Sequence, residues 1–363
     1  MMKQPDKKLV LDNGREFVGY GFGANNNAVC EISFNSSVVG YQEIISDPST
    51  TNQIVVMTYP TIGNYGINDE DFESKSVGIG GLVVREYCDT PSNFRYTKTI
   101  NEVMEECSIP GIYGVDTRMI TRVIRDNCCR KAAIVSLDTT TEEALQMIAN
   151  CPNNHNIIDR VSCRKRWYSR TPNHKYDVVA IDCGIKLNTV AALNARGCNV
   201  VIVPYNTPIE DILAFNPDGI LISNGPSNPN DLPQVVELIK ALRSRLPIFG
   251  ISLGHQLIAL AYGATCTEHS YSKAGSHPIR NTLTGHIRTA AIDNHFTIDR
   301  TSLESTPLNI THEDILEQSI AGVEYRHDKI FSVQFHPEGA PGSNDNISLF
   351  DKFIKLMEEN KHA

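Results

Sequence analysis

The chain has 363 residues, 41% hydrophobic and 21% charged, with ten cysteines and a formal net charge of −9. That length accommodates two domains with large cores, and the composition excludes a disordered polar chain. An acidic balance with dispersed positive residues argues against a nucleic-acid backbone or an anionic membrane as partner, which leaves a small molecule or a protein.

The start, MMKQPDKKLVLDNG, holds only the short apolar run Leu9 to Leu11, and no stretch approaches about 20 apolar residues. A cytoplasmic protein is expected, with its scattered cysteines as reduced thiols. Residues 1–165 read as a β-rich α+β domain. Its strand segments are LVLDNGREFVGYGFG, AVCEISFN, NQIVVMTYP and GGLVVREY, each bounded by Gly, Asn or Pro. Two helical patterns close it: TRMITRVIRDN, with Thr117 as a capping residue, and TTEEALQMIANC, where Thr141 precedes acidic first-turn residues. The acidic run Asp69, Glu70, Asp71, Glu73 lacks metal-loop spacing and reads as a solvated face. A polar, basic stretch with the only tryptophan, CRKRWYSRTPNHK, follows, and a linker is placed at about 166–175.

Residues 176–363 change pattern. DVVAIDCG, NVVIVPYN and DGILISNGP are continuous apolar strands alternating with the helical segments KLNTVAALNARG and PIEDILAFN, which predicts an α/β domain with a parallel sheet covered by helices on both faces. PIFGI then runs into Gly250-Ile251-Ser252-Leu253-Gly254 and the helix HQLIALAYG, and KIFSVQFHPEG supplies a last strand whose exit carries His336 and Glu338. Glycines on both sides of Ser252 permit a strained strand-to-helix turn that lifts one side chain clear, with backbone N–H groups beside it. The pentapeptide alone leaves open a second use for the glycines, close packing of strand on helix. The imidazole of His336 and the carboxylate of Glu338 supply a base and a group to orient it, which tips the reading toward chemistry. His269 and His277 have no metal-ligand company, so no metal is expected.

FGISLGHQ resembles the nucleophile motif FGxCxGHQ of class I, triad-type glutamine amidotransferases, QFHPEGAPG resembles the segment holding that family's His and Glu, and LISNGPSNP resembles its SNGPGDP strand. The first domain narrows the likeness: residues 31–68, EISFNSSVVGYQEIISDPSTTNQIVVMTYPTIGNYGIN, and then GIYGVDTRMITRVIRDN, resemble the carbamoyl-phosphate synthase small subunit. The resemblance covers nearly the whole chain. It implies a triad of Ser252 (Cys in the family), His336 and Glu338, and glutamine contacts from Ser49, Gly225, Ser227, Leu253, Gln256, Asn294 and Phe296. It further implies a large synthase subunit as partner, glutamine as possible ligand, and ATP with magnesium on that subunit, so no cofactor in this chain. It leaves open arginine or pyrimidine biosynthesis.

Four departures fall on chemical positions. Ser252 replaces the thiol; Ser227 replaces the second glycine of GPG; Asp293-Asn294-His295-Phe296 stands for Asn-His-Gly-Phe; and Ala274-Gly275-Ser276-His277-Pro278 stands for Gly-Gly-Asn-His-Pro. These put glutamine hydrolysis in question. Because Gly-Ile-Ser-Leu-Gly literally satisfies GxSxG, a serine hydrolase is the alternative, against which stands the chain order Ser252, His336, Glu338.

Overall fold

The computed structural model describes residues 4–152 and 156–361, without the side chains of Ser272, Lys273 and Asn294. The chain divides into two compact units, Met1–Asn153 with Ser270–Gly275, and Asn154–His269 with Ser276–Ala363.

In the first unit, seven strands pair in the order Lys7–Leu11, Glu16–Gly23, Pro110–Tyr113, Gly81–Val83, Gln53–Met57, Ala28–Asn35 and Lys131–Ser136, and the last pairs back onto the first. The sheet is therefore closed, which leaves no edge to protect. Alternation along the strands sorts their apolar residues into two sets. Leu9, Leu11, Ile32, Ile54, Val56, Val83, Ile112 and Ile134 pack with Ile120 and Ile124 of the helix Thr117–Asn127. Val55, Met57 and Leu82 pack instead with Ile44, Ile45, Ile100 and Met104.

Both helix caps lie one residue before the expected position. Asp116, not Thr117, caps the first helix by accepting from Met119 N. For the helix Thr141–Asn150 the cap is Thr140, whose hydroxyl accepts from Glu143 N at 3.2 Å while the Glu143 carboxylate accepts from Thr140 N at 2.8 Å. Thr140→Ala is expected to cost about 1 kcal/mol in urea unfolding and Thr141→Ala clearly less; the reverse order would return the cap to Thr141. In the acidic run Asp69 and Glu70 are exposed and Asp71 half-buried, as a solvated face requires, and Glu73 departs from it. Glu70 and Asp71 pair with Arg95 at 2.8 and 3.1 Å, while Glu73 is wholly buried and its backbone N–H donates to Ser46 Oγ.

The second unit is the α/β layer structure expected. Cys198–Pro204, Tyr176–Asp182, Gly219–Ile222, Ile248–Ile251 and Ile330–Val333 lie side by side and parallel. Ile320–Tyr325 and Asn309–Asp314 extend the sheet antiparallel at one side, and Trp167–Ser169 does so at the other. Val178, Ala180, Phe249, Ile251 and Phe331 face Val190, Leu193, Phe350 and Phe353 of the helices Leu187–Asn194 and Ser348–Lys361. Val179, Ile181, Ile220, Ile222 and Ile248 face the helices Ile209–Leu213, Pro233–Leu242 and Leu253–Ala261.

Three segments differ from their reading as loop or linker. Cys266–Asn281 and Ile287–Ile298 are long strands, and part of the stretch read as a linker is the edge strand Trp167–Ser169. No helix among the described residues is long and apolar enough to cross a membrane.

Candidate active site

Ser252 sits between the strand Ile248–Ile251 and the helix Leu253–Ala261 with φ 53° and ψ −106°, a left-handed φ that a non-glycine residue holds at a cost. The flanking glycines make this turn possible sterically. A Cβ on Gly254 would stand 2.2 Å from the Ile222 carbonyl oxygen, and one on Gly250 would stand 2.7 Å from the Gly254 oxygen. Backbone bonds then fix the turn: Ser252 N donates to Val333 O at 2.8 Å, Gly254 N to Ser223 O, and His255 N to Ser252 O. The Leu253 N–H has no partner among the described residues. It lies at the positive end of a helix that starts at a buried serine, a place where a developing oxyanion would be held.

The parallel register pairs Ile251 with Val333, so Ser252 and the chain leading to His336 leave the sheet at the same end. His336 is anchored by its backbone N–H, which donates to Ala291 O at 2.9 Å. Its Nδ1 lies 2.9 Å from Glu338 Oε1, and its buried Nε2 has no hydrogen-bond partner among the described residues. An Nδ1–H bond to that carboxylate leaves Nε2 as the lone-pair nitrogen, the tautomer a base requires.

The fully buried Lys186 was not singled out from the sequence. Its Nζ lies 3.4 Å from Glu338 Oε1 and donates to Ala340 O. Burial alone would raise the Glu338 carboxyl; the His336 imidazole and the Lys186 ammonium outweigh it and hold it at about 2. The available signal was a lysine directly after the apolar strand end in IDCGIK, which passed as the polar start of a helix.

Gly225 and Leu253 meet beside the elbow. A Cβ on Gly225 would lie 1.9 Å from Cys183 O and 3.1 Å from Leu253 Cδ2, so close approach requires glycine there. Ser227 on the same loop is buried, and its Oγ has no partner among the described residues. Its φ is not among the left-handed ones, so serine bears no backbone strain at this position. Gln256 Nε2 donates to Phe296 O at 2.9 Å and to Gln334 Oε1 at 3.0 Å, tying the elbow helix to Ile287–Ile298 and to the strand exit.

The Asn294 side chain lies outside the described residues. Ser49 belongs to the first unit, buried in the turn Pro48–Thr50, where its N–H donates to Asp47 Oδ1 and its carbonyl accepts from Gln53 Nε2. Of the other histidines, His255 is buried against Ser332 Oγ and pushed down to about 3 by burial, so it stays neutral. His277 is bound to Asp314 at 2.6 Å.

The family described as "Carbamoyl-phosphate synthase small chain, CPSase domain" matches residues 9–134, and "Glutamine amidotransferase class-I" matches residues 179–356. The carbamoyl phosphate synthase pyrimidine-specific small chain of Halalkalibacterium halodurans is 44% identical over 98% of this chain and 98% of its own. The carbamoyl phosphate synthase small chain of Fusobacterium nucleatum is 43% identical over 98% of this chain and 99% of its own. The pyrimidine-specific small chain of Bacillus subtilis is 40% identical over 97% of this chain and 96% of its own.

Proposed function

The chain belongs to the carbamoyl phosphate synthase small-chain family, and on that premise we propose that it serves a large synthase subunit that draws mainly on free ammonia rather than on glutamine hydrolysed here. The carrying observation is Ser252 on an otherwise complete elbow, opposite a buried His336 whose Nε2 engages no described group. In an amidotransferase the nucleophile adds to the side-chain amide carbon of glutamine, the C–N bond breaks, ammonia leaves carrying the proton from the base, and water releases glutamate. A thiol near pKa 8.5 is readily ionised beside a base, whereas a hydroxyl must give up its proton during attack. Without a bond from His336 Nε2 to the Ser252 hydroxyl, that proton has no prepared acceptor. ATP and magnesium belong, in this reading, to the large subunit.

The test is carbamoyl phosphate synthesis by the reconstituted complex. With ammonium the rate is expected to exceed that with glutamine by a factor on the order of 10² or more, below the cost of removing a nucleophile outright. Equal rates would refute the proposal, and a chain that does not associate with the large subunit would remove its premise.

The alternative, a serine hydrolase, draws support from the strained φ of Ser252 within GxSxG. Labelling of Ser252 by a fluorophosphonate together with ester hydrolysis would favour it.

A further inference from the structure

The stretch from Cys163 to Lys175 has no part in the site just described, yet it carries the densest positive charge of an acidic chain. Arg164, Lys165, Arg166 and Arg170 are all exposed. None has an ion-pair or hydrogen-bond partner among the described residues; Arg166 lies over the Phe215 ring and Arg170 over the Tyr168 ring. Some arginines elsewhere are neutralised, as Arg95 is by Glu70 and Asp71, Arg196 by Asp351, and Arg280 and Arg300 by Glu313, and others such as Arg118, Arg122 and Arg245 are not; what sets this stretch apart is that its unpaired cations crowd residues 164–170. These four cations flank Trp167–Ser169, an edge strand that among the described residues is paired on one side only, to Cys198–Pro204. Half-exposed Tyr168 stands at its centre.

Charges on an edge strand commonly serve to block unwanted pairing. An edge of three residues is already protected by its shortness, and blocking requires one or two charges rather than four unpaired ones. Arginines held over aromatic rings are also partly ordered before any partner arrives, which lowers the entropy lost on binding.

We propose that this edge docks an acidic, extended segment of the large synthase subunit, with the segment's backbone meeting the free side of Trp167–Ser169 and its carboxylates meeting Arg164, Lys165, Arg166 and Arg170. A protein segment fits better than a nucleic acid, because the net charge of −9 repels a long polyanion while a short strand uses the edge's free backbone groups. The inference rests on the reading that the chain associates with a large subunit.

The experiment compares the full-length chain with the variant Arg164→Glu, Lys165→Glu, Arg166→Glu, Arg170→Glu for binding to the purified large subunit across a salt series. A variant with the four residues changed to Gln serves as the milder comparison, and thermal melts establish that each is folded. At low salt the reversal is expected to weaken binding by about tenfold or more, chiefly through the on-rate, and to flatten the salt dependence, with the Gln variant between. Unchanged affinity and salt slope in a complex that forms would overturn this inference alone, and absence of any wild-type complex would overturn the functional reading with it. Patch-dependent retention of RNA in place of the subunit would also overturn it.

Discussion

Ser252→Cys is expected to raise ammonia release from glutamine by roughly 10²-fold or more, and still to leave a further gain for Ser227→Gly. The first part follows from what already stands around the elbow. The left-handed φ at residue 252, the free Leu253 N–H and the His336–Glu338–Lys186 arrangement are in place for a thiolate, which needs only ionisation where a hydroxyl needs concerted proton removal. The second part concerns the loop carrying Gly225. Ser227 has an ordinary φ, so the family's glycine is not required at this position for backbone freedom. What remains is volume and polarity: a buried hydroxyl without a partner, on the loop that touches Leu253 through Gly225. The measurement is glutaminase rate for Ser252→Cys alone and with Ser227→Gly. No gain in the single variant would mean that the surrounding arrangement has itself lost the geometry, and no further gain in the double would clear Ser227 of any effect.

The elbow was legible in the sequence because its requirements are local. Two glycines that backbone atoms crowd, an apolar strand before them and a helix after them all fall within the single run Ile248–Ala261, and the spacing from His336 to Glu338 is shorter still. The parallel sheet was legible for a similar reason, since continuous runs such as DVVAID are needed where both faces are covered. Closure of the first unit was not, because it depends on pairing Lys7 with Ser136, which nothing in either segment announces. The strands Cys266–Asn281 and Ile287–Ile298 hid behind polar residues and a proline, with neither an apolar run nor clean alternation. Glu73 and Lys186 were misplaced or missed by one rule, that charged residues belong on the surface. That rule yields when a partner is buried too, and Lys186 finds its partner in Glu338, far along the chain.

Lys186→Met is accordingly expected to have the largest effect on stability, a loss of about 3–5 kcal/mol at neutral pH, because it leaves the buried Glu338 carboxylate with one fewer cation. The pH dependence distinguishes this from simple repacking. Glu338 titrates at about 2 in the folded chain against an ordinary value of 4.5, so its contribution is complete above about pH 4.5 and is lost as pH falls toward 2. Removing the ammonium raises the folded value, so the gap between wild type and variant should be widest at neutral pH and narrow through the window from 4.5 downward. Adding Glu338→Gln to Lys186→Met removes the uncompensated charge and should return part of the loss, a coupling that two independent sites would lack. Trp167, the only tryptophan, packs at the edge of the second unit's core and reports urea unfolding of that unit by its fluorescence. A penalty that stays constant from pH 7 to pH 3, or a double variant whose loss is the sum of the two singles, would assign Lys186 a packing role and leave Glu338 held by His336 alone.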